Sequence, residues 1–152
     1  FMAGIEYRHV IVPVDGSENA GRAARFAANL AYCCEASLTL VHVFPEGVGD
    51  ASALPPEEDE KLREQTARQV FSEARKAILG GTRKALDAVG SPVREELLRG
   101  DPAEAILEYA RQQPDAMIVI GSRGLSRLQG LLLGSVSEQV IRRAECPVTV
   151  VR

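Results

Sequence analysis

Apolar residues follow two alternating patterns along this chain. Short apolar runs rich in β-branched residues, bounded by polar or turn-forming residues, are typical of buried strands. The runs predict five strands, at about 9–14, 37–43, 93–98, 115–120 and 147–151. The stretches between them have helical character and predict helices at about 17–34, 57–88, 102–112 and 135–144.

Small residues distinguish the first predicted helix. Its alanines fall close to one stripe, which lets a helix lie close to a sheet. These alanines are Ala20, Ala24, Ala27 and Ala31. The long second helix contains Gly80-Gly81, which should weaken or kink it because a mid-helix glycine costs about 1 kcal/mol relative to alanine. The segment before it, 44–56, is rich in proline and glycine and is predicted to be a mobile loop.

The alternation of strands and helices predicts an α/β fold with one parallel sheet and right-handed crossovers. A chain of 152 residues fits one domain with a full core. In a doubly wound sheet, ligands bind outside the carboxyl ends of the strands, where the winding reverses direction. Candidate chemistry is therefore expected in the turns that follow the strands.

Bulk composition narrows the class of protein. Apolar residues make up 45% of the chain and charged residues 26%, which is ordinary for a soluble globular protein. The net charge of −3 gives no electrostatic reason to expect nucleic acid binding. No apolar run approaches the roughly 20 residues of a membrane span, and the N-terminus lacks the pattern of a signal peptide. A cytoplasmic location without membrane association is therefore expected.

The three cysteines agree with a reducing compartment. Cys33 and Cys34 are adjacent near the end of a predicted helix, where a bridge between neighbours would strain the backbone. Cys146 lies far away in sequence. An odd count without Cys-x2-Cys spacing argues against a disulfide framework and against a zinc site. We expect all three to be small buried or half-buried apolar side chains.

The most specific chemical signal is Gly121-Ser-Arg-Gly124, followed after nine residues by Gly134-Ser135. Glycines at the end of a strand let the backbone turn sharply and approach a ligand closely. A glycine that leads into a helix brings unpaired N–H groups and the positive end of the helix dipole to the same ligand. This chemistry suits phosphates. The alternative for these glycines is a flexible surface loop.

Ser135 has a structural alternative of its own. With Glu138 it forms Ser-x-x-Glu, a capping box in which the serine hydroxyl accepts the amide of the third helical residue. The hydroxyl either caps the helix or meets a ligand, or a phosphate takes over the donors that the cap would satisfy.

This spacing and the start of the chain together resemble the universal stress protein family, in its ATP-binding branch. The motif is Gly-x2-Gly-x9-Gly-Ser, and residues 9–18 and 38–43 resemble the family's first strand with its turn and its second strand. The resemblance covers nearly the whole chain. It implies one nucleotide-binding domain over 2–152, a five-stranded sheet of order 3-2-1-4-5 and helices on both faces. It also implies ATP as the ligand, with Mg²⁺ or Mn²⁺.

The implied strand order puts the reversal of winding between strands one and four, so the turns after both strands open into one crevice. By resemblance, the residues around adenine and ribose are Pro13, Asp15 and Val43. Those around ribose and phosphates are Gly121, Gly124, Gly134, Ser135, Val136 and Ser137. Neighbouring positions complete the predicted nucleotide site: Val14, Ser17, Ile120, Ser122 and Arg123.

Several charged or titratable residues near these turns have two interpretations. Asp15 either accepts hydrogen bonds from the nucleoside or helps to hold a metal, or else Asp15 or Ser17 simply caps the first helix. Arg123 and Arg127 either neutralise phosphate charge or are solvated. His42, within the second strand, is expected to be a satisfied core or rim residue and is assigned no role.

Signals for catalysis are weak. The sequence has no Gly-x4-Gly-Lys-[Ser/Thr] motif and no Ser-His-Asp order with a nucleophile elbow. We therefore expect a stress-response protein that binds ATP with little or no turnover. One alternative is a slow ATPase or a self-phosphorylating enzyme with Ser135 or Ser137 as the acceptor. Another is a protein that binds AMP or a cyclic nucleotide.

Strand five is expected to be an interaction surface. In the order 3-2-1-4-5 it forms a sheet edge, and Val148 to Val151 carry no charge before Arg152. Such an edge presents unpaired N–H and C=O groups that invite pairing with another strand. The resembled family commonly dimerises by placing two such edges antiparallel across a two-fold axis, so a homodimer through Val148–Arg152 is expected. The alternative is a monomer.

Overall fold

The computed structural model describes residues 6–44, 56–79, 93–124 and 133–152. Within these ranges, strands and helices alternate along the chain. The strands are β1 (His9–Pro13), β2 (Ser37–Phe44), β3 (Arg94–Arg99), β4 (Ala116–Gly121) and β5 (Val148–Val151). The helices are α1 (Glu18–Cys34), α2 (Pro56–Leu79), α3 (Pro102–Arg111) and α4 (Ser135–Arg143).

The strands form one all-parallel sheet of order β3-β2-β1-β4-β5. In the central strand β1, His9 lies opposite Ser37 of β2 on one side and opposite Ala116 of β4 on the other. The predicted α/β class and strand order are confirmed. The winding reverses between β1 and β4, so the carboxyl ends of these two strands are the place where a doubly wound sheet binds ligands.

Alternate strand residues supply two separate cores, because successive side chains of a strand point to opposite faces. On one face, Val10 and Val12 of β1 pack with α1 and α2. On the other, Ile11 packs with Ile106 and Leu107 of α3 and with Val140 of α4. Both faces of the sheet are therefore covered, as the continuous apolar runs of the central strands require.

Helix α1 packs against the sheet through an alanine face. Six of its alanines are buried, and they include all four of the predicted stripe. They are Ala20, Ala23, Ala24, Ala27, Ala28 and Ala31. The helix also approaches α2 closely, since a Cβ added to Gly21 would lie 3.1 Å from the Cβ of Ala77. Small side chains thus fix α1 close to both neighbours.

The boundaries of several elements differ from the predicted ones. Phe44 belongs to β2 and Pro56 begins α2, so both ends of the predicted loop lie in regular structure. Proline suits the first turn of a helix because its missing N–H would have no helical partner there. The middle of that loop, the predicted helix beyond Leu79 and the Gly80-Gly81 break lie outside the described residues.

The cysteine prediction is wrong for two of the three residues. Cys33 and Cys34 are exposed, whereas Cys146 is half-buried as expected. The alanine face of α1 ends at Ala31, so the last turn of the helix turns these two thiols to solvent. Burial raises the pKa of the Cys146 thiol, which disfavours the reactive thiolate.

Within the described ranges, no helix combines the length and the apolar character needed to cross a membrane.

Candidate functional site

A cavity of about 330 Å³ opens at the carboxyl ends of β1 and β4, where the winding reverses. Its walls come from the turn after β1, the end of β2, the start of α3, the end of β4 and the start of α4. The lining residues are Pro13, Val14, Asp15, Ala20, Val41, His42, Val43, Pro102, Ile106, Ile120, Gly121, Arg123, Gly124, Leu133, Gly134, Ser135, Val136, Ser137 and Glu138.

The turn after β1 is held by β2. The Val14 amide donates to the Val41 carbonyl over 2.8 Å, which extends the strand ladder by one residue. The Val14 carbonyl lies 2.8 Å from Nδ1 of His42. Because a carbonyl oxygen only accepts, Nδ1 carries the proton in this hydrogen bond. Both backbone groups of Val14 are therefore anchored in the core of the sheet.

The same turn starts helix α1. The Ser17 amide donates to Oδ1 of Asp15 over 2.9 Å, and the Ser17 hydroxyl accepts the Ala20 amide over 3.2 Å. Between them, Gly16 has a φ of +86°, which side chains rarely adopt. Ser17 is thus the N-cap of α1, and the Asp15 carboxylate braces the turn from its other end.

The first glycine of the motif allows two elements to approach. A Cβ added to Gly121 would lie 2.9 Å from the carbonyl carbon of Asn19 and 3.2 Å from the amide nitrogen of Ala20. Contacts this close with backbone atoms cannot be relieved by a side-chain rotation. Gly121 therefore lets the end of β4 pack against the first turn of α1, whatever ligand the cavity holds.

The second glycine faces the turn after β1. A Cβ added to Gly124 would lie 2.6 Å from Oδ2 of Asp15. The Asp15 carboxylate therefore lies directly against the Gly124 backbone, and the turns after β1 and β4 meet at this point. At Gly134 a Cβ would make ordinary contacts of 3.5 Å with Arg123 and Gly124.

Helix α4 begins without a side-chain cap. Its N-cap is Gly134, and no side-chain hydrogen bond caps it in the described part of the chain. The first helical hydrogen bond runs from the Glu138 amide to the Gly134 carbonyl over 2.9 Å. The amides of Ser135, Val136 and Ser137 precede that bond and have no partner within the helix. All three residues line the cavity, at the positive end of the helix dipole.

The capping box given as the alternative for Ser135 does not form. Ser135 is the first helical residue rather than the N-cap, so its hydroxyl is not placed to accept the amide three residues on. Ser137 forms a different link: its buried hydroxyl donates to the Gly121 carbonyl over 2.6 Å. Nearby, the Gly134 amide donates to the Ser122 carbonyl over 2.7 Å. These two bonds tie the start of α4 to the end of β4.

The cavity brings together the predicted nucleotide residues except Ser17 and Ser122. Ser17 caps α1, which is the structural alternative stated for it. Ser122 is 4% exposed, its amide donates to the Val151 carbonyl over 2.8 Å, and its hydroxyl accepts a hydrogen bond from Nδ2 of the Asn19 side chain over 3.4 Å. Both serines shape the walls from outside the lining. Arg123 is exposed and lines the cavity, whereas Arg127 lies outside the described residues.

The lining also contains residues that the sequence reasoning did not assign to it. Val41 lies two residues before Val43 on the same face of β2, a spacing that signals a shared wall. Pro102 and Ile106 are four residues apart at the start of α3. Because α3 follows β3, it begins at the end of the sheet where the carboxyl ends of all the parallel strands lie. The others are Ala20, His42, Leu133 and Glu138.

The chemistry of the lining divides the cavity into two parts. Val41, Val43 and Ile106 are buried and give apolar walls deep in the cavity. Toward α4 the polar groups of the lining are backbone amides, Arg123 and the carboxylates of Asp15 and Glu138, beside the apolar side chains of Leu133 and Val136. In the described residues, no group of three or more histidine, cysteine, aspartate or glutamate side chains is placed to hold a metal ion.

Comparison with known proteins identifies the family. A sequence model of the universal stress protein family matches residues 6–152. A universal stress protein of Thermus aquaticus is 40% identical over 147 residues, which cover 96% of this chain and 99% of that protein. Universal stress protein MJ0531 of Methanocaldococcus jannaschii is 34% identical over 146 residues, which cover 96% of this chain and 82% of that protein.

Solved structures agree with the sequence relatives. Universal stress protein UspA from Lactobacillus plantarum has a TM-score of 0.73 at 28% identity, covering 97% of this chain and 99% of its own. A universal stress protein in complex with cAMP has a TM-score of 0.65 at 26% identity, covering 97% and 98%. The Archaeoglobus fulgidus protein in complex with dAMP has a TM-score of 0.63 at 28% identity, covering 97% and 99%. The chain therefore belongs to the universal stress protein family.

Proposed function

We propose that this cavity binds an adenine nucleotide, with ATP as the principal ligand, and that the protein acts in the stress response through nucleotide occupancy. One observation carries the proposal: the uncapped start of α4 directs three amides without helical partners into a cavity whose deep walls are apolar. Helix N-termini of this kind bind phosphates. A volume of about 330 Å³ suits a small-molecule site.

The two parts of the lining match the two ends of a nucleotide. In this proposal, Val41, Val43 and Ile106 enclose the adenine ring, whose flat faces suit apolar walls. The Asp15 carboxylate accepts hydrogen bonds from ribose hydroxyls. The amides of Ser135, Val136 and Ser137 donate to phosphate oxygens.

A divalent cation fits the proposed complex. Mg²⁺ usually takes one or two carboxylates together with phosphate oxygens and water rather than a cage of protein ligands. In the described lining, the carboxylates near the proposed phosphates are those of Asp15 and Glu138: Glu138 would hold such an ion, and Asp15 would do so only in place of its bond to ribose. The ion, Mg²⁺ or Mn²⁺, would offset the repulsion between these carboxylates and an anionic nucleotide.

A nucleoside monophosphate or cyclic nucleotide is the second candidate ligand. Relatives of similar fold have been solved with cAMP and with dAMP, each of which carries one phosphate. The choice depends on whether the cavity has room for phosphates beyond the first. Competition between ATP, AMP and cAMP for the same protein decides it.

The nucleotide itself is the direct test. The protein is purified without added nucleotide, denatured, and any released ligand identified by chromatography and mass spectrometry. Titration calorimetry then gives the affinities for ATP, AMP and cAMP, with and without Mg²⁺ or Mn²⁺. We expect ATP to bind most tightly and its affinity to rise with the metal. Absence of binding by all three nucleotides contradicts the proposal.

Turnover distinguishes a binding protein from an enzyme. Neither a P-loop lysine nor a positioned general base is evident in the described lining, so we expect ATP hydrolysis far below the roughly 10 per second of a median enzyme. Self-phosphorylation would have to use Ser135, which is exposed, because the Ser137 hydroxyl is buried and donates to Gly121. Metal-dependent hydrolysis near the median rate, lost in Asp15→Ala, contradicts a binding role.

We also propose a homodimer through Val148–Arg152. In the described residues β5 pairs with β4 alone: the Pro147 carbonyl accepts the Ile118 amide of β4, and the Val151 carbonyl accepts the amide of Ser122, which follows β4. Neighbouring residues of a strand direct their backbone groups to opposite sides, so Val148 and Val150 present theirs to the open edge. This supports antiparallel pairing with a second copy.

Val150→Pro tests the dimer because it removes an outward N–H and leaves the bonds to β4 in place. Light scattering at micromolar concentration should give a dimer for the wild type and a smaller species for the variant. Nucleotide affinity in the same samples checks that the cavity is intact. A monomeric wild type, or a variant dimer of unchanged stability, contradicts the interface.

A further inference from the structure

We infer that His42 is a positioning residue of the nucleotide site, and that it acts by orienting the peptide that carries Asp15. The inference rests on the proposed function and deepens it. The contacts of His42 lie in the interior of the protein, but its hydrogen bond reaches Val14, the residue before Asp15, whose carboxylate lines the cavity.

The His42 side chain is held firmly in the interior. The residue is 8% exposed, and its ring packs edge-on against Phe71 of α2 with centroids 6.4 Å apart. Its Nδ1 donates to the Val14 carbonyl over 2.8 Å. A buried carbonyl without a partner carries a desolvation penalty, so this bond strongly favours one orientation of the Val14 carbonyl.

The orientation of that carbonyl determines the orientation of the next amide. The Val14 carbonyl and the Asp15 N–H belong to one planar peptide unit, so they rotate together. The Val14 amide is separately held by the Val41 carbonyl over 2.8 Å. Because both the amide and the carbonyl of Val14 are fixed, the backbone can continue from β1 to the Cα of Asp15 in one direction only.

The position of the Asp15 carboxylate is restricted on two sides. Its Oδ1 accepts the Ser17 amide over 2.9 Å, and its Oδ2 lies 2.6 Å from the position that a Cβ on Gly124 would take. A rotation of the peptide before Asp15 would move the carboxylate toward the Gly124 backbone or away from the ribose position. His42 thus sets the place of a ligand group without having to touch the ligand.

Three substitutions separate this role from simple packing. His42→Leu keeps an apolar side chain of similar reach and removes the donor, whereas His42→Asn puts an amide donor near the position of Nδ1. His9→Leu is the matched control, because Nδ1 of His9 also bonds a carbonyl, that of Pro114, at the opposite end of β1. His42→Phe, which also lacks a donor, replaces His42→Leu if the latter fails to fold.

We expect His42→Leu to weaken ATP binding about tenfold, the value of one hydrogen bond to a buried group. His42→Asn should restore the affinity to within about threefold of the wild type, and His9→Leu should leave it unchanged. Equal losses in His42→Leu and His42→Asn overturn the inference, because packing alone would then explain them.

A double-mutant cycle tests whether His42 acts through Asp15. If it does, His42→Leu adds little to the loss already caused by Asp15→Ala, since residues that work as one unit are not additive. Losses that add in full overturn the inference. Thermal unfolding of the same four proteins is the control, and we expect the losses of stability, unlike the losses of affinity, to add.

A measurement on the nucleotide-free protein separates this inference from the proposed function. The ¹⁵N–¹H signals of Asp15 and Ser17 should shift in His42→Leu and return in His42→Asn. Unmoved signals in His42→Leu overturn the positioning role. If the signals behave as expected but the wild type binds no adenine nucleotide, the proposed function fails while the orienting effect on Asp15 stands.

Discussion

Helices α1 and α4 both begin at this cavity, and they begin differently. Helix α1 is capped by the Ser17 hydroxyl, and the preceding turn is braced by the Asp15 carboxylate. Helix α4 has Gly134 at the same position and no capping side chain among the described residues. The start of α1 is therefore complete as it stands, whereas the start of α4 keeps its donors available. The difference separates the turn that side chains hold in place from the helix start that, in our proposal, binds the phosphates.

Helix α3 supports this contrast. Its first turn borders the cavity through Pro102, and its N-cap Asp101 accepts the Glu104 amide over 3.0 Å. Side chains thus cap two of the helices that reach the cavity, and glycine begins the third. A cap at α4 would occupy the space in which the proposed phosphate meets the same amides.

The largest effect is expected from Gly134→Asp. The φ of −72° and the contacts of 3.5 Å show that a side chain fits there, so the new carboxylate can cap α4. We expect the free energy of unfolding to rise by about 0.5 kcal/mol. ATP affinity should fall at least about 100-fold, or about 2.7 kcal/mol, because the carboxylate repels phosphate and takes its donors. Calorimetry and chemical denaturation measure the two effects.

Gly134→Asn is the control that separates capping from charge. Asparagine caps a helix about as well as aspartate but carries no charge. Its ATP affinity should lie between the affinities of the wild type and of Gly134→Asp. Equal ATP affinity in all three proteins would mean that the start of α4 is not the anion site.

A second prediction concerns the glycine that joins the two helix starts. Gly121→Ala places a methyl group 2.9 Å from the Asn19 carbonyl carbon, so α1 and β4 must move apart. Overpacking of this kind costs about 1–3 kcal/mol of stability. Gly124→Ala meets the Asp15 carboxylate instead, so it should mainly weaken ATP binding. Chemical denaturation and calorimetry on both variants measure the two effects. Equal losses of stability in Gly121→Ala and Gly124→Ala would contradict the assignment of Gly121 to packing and of Gly124 to the ligand site.

The smallest effect is expected from Ser17→Ala. Loss of the α1 cap should lower the free energy of unfolding by about 1 kcal/mol. Since Ser17 does not line the cavity among the described residues, ATP affinity should stay within about threefold of the wild type. Thermal denaturation and calorimetry report the two quantities. A large loss of affinity with unchanged stability would assign Ser17 to the ligand rather than to the helix.

The fold was predictable because its signals are local and repeated. Apolar runs at Val10–Val12 and Ala116–Ile120 mark the central strands, and the helical alanine stripe marks α1. The predicted site also depended on turns that follow strands, which topology brings together. The same reasoning could have assigned Val41 to the site from its spacing to Val43, and Pro102 and Ile106 from their position after β3.

Other features depend on choices of about one residue that the sequence pattern does not determine. Ser135 and Gly134 are both acceptable N-caps, and the backbone selects the glycine. Ser137 lines the cavity as predicted, but its hydroxyl donates to the Gly121 carbonyl, so only its amide is left for a ligand. The hydrogen bond between His42 and Val14 spans 28 positions in sequence, so only the folded sheet shows that the histidine orients the turn.

The alanine face of α1 has a consequence for how the protein tolerates change. Alanine loses no rotamer freedom on burial, so this interface forms without the side-chain entropy cost that Ile106 and Leu107 incur on the other face. The same property leaves it no side chains that can rearrange to accommodate a larger neighbour. Substitutions should therefore accumulate slowly where α1 meets the sheet and faster where α3 does. The part of the cavity wall formed by Ala20 belongs to the α1 face, where change is expected to be slow.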